Sequence, residues 1–450
     1  MTASGSRGVK AVQRQKARYP AGKGCSIIVS LDTIVINGGA TLSGTVSTGG
    51  AKNSALPLLF ATLLAGGEYR FHNVPMLRDI DSTMVLLEHL DYGIDRDGTT
   101  VSVHARDCGH LDAPYDIVRK MRASILCLGP LLTRYGRAKV SLPGGCAIGT
   151  RPINLHIEAL QQMGADIEID SGYVIAKARR LHGTCIVFEN ATVGGTENLM
   201  LAATLAKGTT VLENAAKEPE IVDLADCLVK MGARIEGAGS SVITIEGVDE
   251  LRPCNHTVIP DRIEAGTLLI AGAITGGDVR VNDCNPGHID ALIRRMIECG
   301  FRIDTGADWM RVLPCDRWRA VDASTAPYPG FPTDLQAQFM ALMTLAQGTS
   351  VITERIFENR FMHVQELVRM GANITPKTQV AIVRGEPGSL SGAPVMATDL
   401  RASASLVLAG LAARGETTVN RIYHLDRGYE KLEAKLKSLG ARIDRRAGES

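Results

Sequence analysis

The chain runs to 450 residues, 45% hydrophobic and 22% charged, with a formal net charge of +1; this is a globular composition on a chain too long for one ordinary core. The even charge balance and an aromatic content of 4% argue against a general nucleic-acid binder or a base-stacking surface, and no apolar run reaches the roughly 18 residues of a membrane span. Ten cysteines without one CxxC pair make a disulfide framework or a structural metal site improbable, so a reducing cytoplasm is the expected compartment.

Residues 1–31 carry six Lys or Arg and no acid, which reads as a basic, disordered tail. The stretch 33–50, "TIVINGGATLSGTVSTGG", follows as a strand. From there one phrase recurs six times at about 70-residue intervals: an apolar helix, a glycine, a small residue, then a strand. The glycines are Gly93, Gly164, Gly232, Gly300, Gly371 and Gly440, placed where a helix ends in the left-handed region. A second phrase runs in step with the first, so each unit holds two helices and several short strands.

Six such units in two domains give three per domain and an α/β fold with pseudo-threefold lobes. The last unit stops short of its final strand, and the N-terminal strand has no unit of its own. The expected division is therefore a discontinuous domain of residues 32–51 plus 260–450, with residues 52–259 inserted as the second. The chain would cross between lobes near Gly50–Lys52 and Ile259–Arg262, leaving a substrate cleft between them.

Anion-binding groups recur along this framework. "GGAKNSALPLL" sets Lys52 and Asn53 before a helix whose expected N-cap is Ser54, where free N–H groups and the helix dipole favour negative charge. "VRKMRASILCLGPLL" puts Arg122 among apolar residues at a helix start. "LPGGCAIGTRP" places Cys146 on a glycine-rich loop beside Arg151, with Pro152 as the expected first residue of the next helix. A thiol there should ionise readily and be free to move. In "FPTDLQAQF", Thr333 or Asp334 reads as a helix cap or as an active carboxylate. "ENRFMHV" carries Arg360, "ATDLRASASLVLAG" carries Asp399 and Arg401, and "RIYHLDRGYEKLE" carries Arg427. Six cations are thus expected at equivalent helix starts. There is no HExxH, EF-hand loop or P-loop, and no GxGxxG between a strand and a helix, so side chains and helix ends must hold the anion.

These motifs, ordered from about Thr33 to Arg446, resemble those of the UDP-N-acetylglucosamine 1-carboxyvinyltransferase family of enolpyruvyl transferases. The resemblance implies two inside-out α/β barrels built from six βαβαββ units, with no cofactor or metal. It also implies transfer of the enolpyruvyl group of phosphoenolpyruvate to the 3-hydroxyl of UDP-N-acetylglucosamine, in peptidoglycan synthesis. By the same likeness Cys146 protonates C3 of phosphoenolpyruvate and can form a pyruvate adduct, and Asp334 is the base near the 3-hydroxyl. Lys52, Asn53, Arg122, Arg151, Arg401 and Arg427 would hold phosphoenolpyruvate, with Lys52 and Arg427 counted as catalytic. The sugar nucleotide would meet Arg122, Arg151, Pro152, Ile153, Asn154, Leu155, Thr192, Val193, Gly194, Asp334 and Ile356, and the intermediate Asp399, Leu400 and Arg401.

Departures are few. Arg78 stands where lysine is frequent, Asn154 where aspartate is frequent, and Asn190 where some members carry lysine. The thiol retained at Cys146 predicts alkylation by fosfomycin. The rival readings are an enzyme like 5-enolpyruvylshikimate-3-phosphate synthase and a non-catalytic sugar-nucleotide-binding paralogue. Cations on both walls of the cleft should hold the lobes apart until anionic ligands bind.

Overall fold

The computed structural model describes residues 32–119, 121–142 and 153–448. The sequence condenses into two domains of repeated βαβαββ units, each unit contributing one four-stranded sheet, six in all among the described residues. Every sheet is wired alike. A first strand runs parallel to the second, and the next two pairings are antiparallel, as in the sheet formed by Cys185–Val187, Thr209–Glu213, Val242–Glu246 and Arg234–Glu236. The sheets of one domain are not hydrogen-bonded to each other into a closed barrel among the described residues. They stand as three separate walls around buried helices.

Those helices show why. Lys52–Ala61, Val193–Ala203, Arg262–Ile274, Gln336–Met343 and Leu400–Ala412 are buried over nearly all their residues. A helix apolar all round must be enclosed on every side. Arg78–His89, Pro219–Lys230 and Asp290–Cys299 instead bury one stripe and expose the other. Two hydrophobic cores result, one gathering residues 51–258 and the other residues 34–46 and 263–443.

The N-terminal stretch read as one strand is two, in different sheets. Thr33–Asn37 inserts between Glu416–Asn420 and Arg442–Arg446, completing the last unit as expected. Ser43–Ser47 runs parallel to Asp278–Asn282, in a neighbouring sheet. The glycines between them let the chain change walls: Gly39 has φ of 85°. Asn255–Thr257 does the reciprocal job, pairing with Gly67–His72 before the chain crosses back.

The two crossings lie side by side and brace each other. Ala51 N–H donates to Ile259 O at 2.7 Å, and Asp261 N–H to Gly49 O at 2.9 Å. At Gly50 a Cβ would collide with the Asn73 carbonyl, so this close approach needs glycine.

The repeat glycines Gly164, Gly232, Gly300, Gly371 and Gly440 adopt φ from 94° to 110°, ending helices as expected. Gly93 does not. In the first unit Asp91, at φ 69°, takes the left-handed position, and Gly93 opens the strand Gly93–Asp97. Aspartate tolerates that region better than most residues, which hides the repeat register by two places. Cys185 is exposed on its strand. No described helix is long and apolar enough to cross a membrane. The basic tail lies outside the described residues.

A candidate anion site of two paired carboxylates

Lys52 is the first residue of its helix, with Ala51 rather than Ser54 at the cap. Ser54 sits inside the helix and donates its hydroxyl to Asp223 instead. Lys52 is buried, 8% exposed, and its Nζ meets Asp79 Oδ2 at 3.1 Å. Asp79 belongs to the first turn of the helix Arg78–His89. Its other oxygen accepts from Arg427 Nε at 2.9 Å. Asp79 lies on a helix whose apolar residues Ile80, Leu86 and Leu87 belong to the first core, and Arg427 on one whose Ile422 and Leu425 belong to the second, so this carboxylate ties the lobes together. Burial alone would raise the Asp79 pKa, but Lys52 and Arg427 outweigh it and hold the carboxyl below its ordinary value. Two more contacts flank this seam, Met76 N to Glu430 Oε2 at 2.9 Å and Arg78 to Asp426 at 3.6 Å. The expected repulsion between cationic walls is therefore not met at Arg427, because Asp79 stands between the charges.

A second carboxylate repeats the arrangement inside one lobe. Asp334 is not a helix cap, and neither is Thr333. Both lie in a 3₁₀ turn, Thr333–Leu335, that leads into the helix Gln336–Met343. Arg360 Nη2 donates to Asp334 Oδ1 and Arg401 Nη2 to Oδ2, both at 2.8 Å. Burial again pushes the carboxyl up, and again the guanidiniums win, holding Asp334 well below the usual carboxylate range. Arg401 lies in the first turn of Leu400–Ala412, rather than before it, and Asp399 caps that helix by accepting from Arg401 N at 2.8 Å and Ala402 N at 3.0 Å. Both arginines are almost completely buried, yet Arg360 Nη1 and Arg401 Nη1 have no hydrogen-bond partner among the described residues. Buried N–H donors left unpaired are costly.

The two clusters share a wall. The Arg401 guanidinium lies 5.5 Å from the Tyr429 ring centroid, two residues beyond Arg427. Tyr429 Oη is 2.9 Å from Gln338 Nε2, which also donates to the Asp334 carbonyl at 2.9 Å. Leu400 packs on Gly428 between them. Ile356 joins through Glu354, a buried carboxylate that accepts from Ile356 N at 2.8 Å and from Thr333 Oγ1 at 2.9 Å.

A third group lies on the first lobe. Arg122 opens the 3₁₀ turn Arg122–Cys127, which runs into the helix Leu128–Tyr135. Its neighbour Met121 receives the Thr83 hydroxyl at 3.3 Å, one turn along the helix from Asp79. Thr192 caps the helix Val193–Ala203 through Gly195 N at 3.3 Å, and the His156 ring lies over Gly194. Asn198 Oδ1 is taken by Gly129 N at 2.9 Å, so its amide donates to His156 Nδ1, also at 2.9 Å. Burial, with Arg122 adding to it, pushes His156 down to about 4, so the ring is neutral. Ile153 is buried, Leu155 half-buried and Asn154 exposed, at the start of Asn154–Gln162. Asn53 follows Lys52 in its helix, and Asn190 lies on an exposed loop.

Arg360 and Arg427 are not at helix starts. The first lies on the loop before Val364–Arg369, and the second ends the 3₁₀ helix Ile422–Arg427. Cys146, Arg151 and Pro152 lie outside the described residues. Asp79, Glu354, His156 and Asn198 were missed in the sequence. An acid in a helix first turn is ordinary, so nothing local distinguishes Asp79.

An α/β enzyme of two repeated lobes with paired cations at their seam is the class these observations define. The family profile for EPSP synthase (3-phosphoshikimate 1-carboxyvinyltransferase) matches residues 36–436. The chain is 64% identical over 412 residues to a UDP-N-acetylglucosamine 1-carboxyvinyltransferase of Bdellovibrio bacteriovorus, covering 92% of this chain and 100% of that one. It is 56% identical over 418 residues to the protein of that name from Myxococcus xanthus, covering 92% and 99%. Among solved structures, the enolpyruvyl transferase NikO from Streptomyces tendae superposes with a TM-score of 0.84 at 28% identity, over 93% of this chain and 100% of that one. An EPSP synthase from Acinetobacter baumannii shares the fold at 17% identity, with a TM-score of 0.73 over 92% and 99%. The chain belongs to the enolpyruvyl transferase family that holds the UDP-N-acetylglucosamine 1-carboxyvinyltransferases and the EPSP synthases.

Proposed function

We propose that this enzyme transfers the enolpyruvyl group of phosphoenolpyruvate to the 3-hydroxyl of UDP-N-acetylglucosamine and releases phosphate, the committing step of peptidoglycan synthesis. The division into residues 32–51 plus 260–450 and 52–259 belongs to the same reading, with the substrates meeting at the seam. The observation that carries it is the surplus of cation: two carboxylates each hold two cations, three of the four buried, and Arg360 and Arg401 keep unpaired donors. Each cluster carries one net positive charge, which suits a small polyanion and no neutral ligand.

The chemistry then follows from charge. Addition needs a proton on C3 of phosphoenolpyruvate and the loss of one from the sugar hydroxyl; elimination removes phosphate and a C3 proton. Cys146 supplies and recovers the C3 proton, and its thiolate can attack C2 to give the adduct. Asp334 takes the hydroxyl proton. A carboxylate pinned by two guanidiniums is a weak base, so Arg401 must first turn its donors to the anionic substrate. That transfer raises the Asp334 pKa when both substrates are present, and only then. Lys52, Asn53, Arg122, Arg151 and Arg427 hold the phosphate and carboxylate, while Asp399 and Leu400 fix the turn that presents Arg401. Ile153–Leu155, Thr192–Gly194 and Ile356 line the nucleotide path.

Phosphate release from phosphoenolpyruvate, measured with each acceptor in turn, tests the reading. Release is expected with UDP-N-acetylglucosamine and none with shikimate 3-phosphate; the reverse pattern, or silence with both, overturns it.

A further inference from the structure

The second helix of the third repeat unit, Pro219–Lys230, carries Asp223, Cys227 and Lys230 at positions i, i+4 and i+7, hence on one face. Cys254 immediately precedes the short strand Asn255–Thr257 and His256 lies within it, two residues apart and so on one side of the extended chain. The two periodicities bring five reactive side chains into register. Cys227 Sγ lies 3.6 Å from Cys254 Sγ, and His256 Nε2 2.7 Å from Asp223 Oδ1. Lys230 Nζ lies 3.1 Å from His256 Nδ1. Cys227 is buried, whereas Cys254 is partly open to solvent.

None of these groups takes part in the proposed transfer. Asp223 also accepts from the Ser54 hydroxyl and from Ile259 N, so the cluster sits against both the Lys52 helix and the crossing strand.

We propose that Cys227 and Cys254 form a dithiol site that a hydroperoxide oxidises to a disulfide. Cys254 is the attacking sulfur because it is the one solvent reaches and the one flanked by a lysine and a histidine. The Cys227 S–H donated to it, with His256 and Lys230 adding to the effect, lowers its pKa to about 7 against the cost of burial, while the Cys227 pKa is raised. In the first step the Cys254 thiolate takes one oxygen of hydrogen peroxide, the O–O bond breaks, and hydroxide leaves. In the second, Cys227 sulfur displaces that oxygen as water and the S–S bond forms. Two thiols and one peroxide give one disulfide and two waters. The sulfurs close from 3.6 Å to about 2.05 Å, a shift of roughly 1.5 Å that a strand end and a helix can absorb.

The test does not depend on the transferase reading. The full chain is treated with hydrogen peroxide, free thiols are capped with N-ethylmaleimide, and peptides are mapped by mass spectrometry without reduction. A cross-linked Cys227–Cys254 peptide pair is expected before exposed Cys185 is modified. In Cys227→Ser, Cys254 is expected to stop at a sulfenic acid trapped by dimedone; in Cys254→Ser, Cys227 is expected to remain a thiol. Recovery of both native residues as capped thiols once Cys185 is oxidised overturns the proposal, as does dimedone labelling of Cys227 in Cys254→Ser.

Discussion

Asp79 and Asp334 are the same device used in two ways. Each is a carboxylate held by two cations and stripped of its proton by them. Asp79 takes one cation from either lobe, so its pairing fixes how the lobes sit. Asp334 takes both from its own lobe, and those arginines keep spare donors facing inward. On the proposed reading, one pairing is mechanical and the other chemical. A shared local motif acquires its role from where its partners are anchored.

The comparison can be broken experimentally. Asp334→Asn keeps the shape and removes the base. It is expected to lower kcat about 10²- to 10⁴-fold and, because it leaves buried Arg360 and Arg401 without their shared anion, to cost about 3 kcal/mol of stability as well, measured by phosphate release on the folded fraction and by urea unfolding. An unchanged kcat in the folded variant would make Asp334 structural. Asp79→Asn should act on how the lobes sit, leaving Lys52 and Arg427 without their shared anion. Breaking a buried pair in this way costs about 3 kcal/mol, so urea unfolding should show a destabilisation of that order. Small-angle scattering should show a larger radius of gyration, restored by the two substrates together; unchanged dimensions would deny Asp79 its bridging role.

The buried imidazoles sharpen the picture through pH. Burial holds His156 and His363 down at about 4 from an ordinary 6.5. The unfolded chain therefore takes up these protons first as pH falls. The stability they contribute is whole above pH 6.5 and is lost progressively toward pH 4. Between pH 6.5 and 5 each ring costs at most about 2 kcal/mol, which urea titrations at the two values would detect. A flat profile in that window would contradict neutral burial. The smallest effect is expected at Glu354, which ties the Asp334 turn to Ile356. Glu354→Gln loses one acceptor set, worth about 1 kcal/mol, so KM for the sugar nucleotide should rise about fivefold with kcat nearly unchanged. A fall in kcat instead would mean that Glu354 orders Asp334 alone.

Much of the fold was legible because each repeat unit carries its own punctuation. Left-handed glycines at Gly164, Gly232, Gly300, Gly371 and Gly440 repeat at an even spacing, and the truncated last unit shows that the N-terminal strand must return to it. Asp91 broke the pattern because a second residue type can hold the same dihedral. The cations at the site were legible as charges stranded in apolar or glycine-rich context. Their partners were not. Asp79 finds Arg427 across 348 positions of chain, and Asn198 finds His156 across 42. No local periodicity encodes such pairings, and Ser54, a good cap by composition, was drawn into the helix by Asp223 on another element.

The central claim is that the Cys146 thiol and the Asp334 carboxylate exchange protons with a polyanion held at the seam between the lobes. Its most direct test is phosphate release from phosphoenolpyruvate and UDP-N-acetylglucosamine, followed in the unaltered enzyme and in Cys146→Ala side by side. The account predicts turnover in the first and a loss of at least about 10²-fold in the second, with sugar-nucleotide binding kept. Equal rates in the two proteins would contradict it.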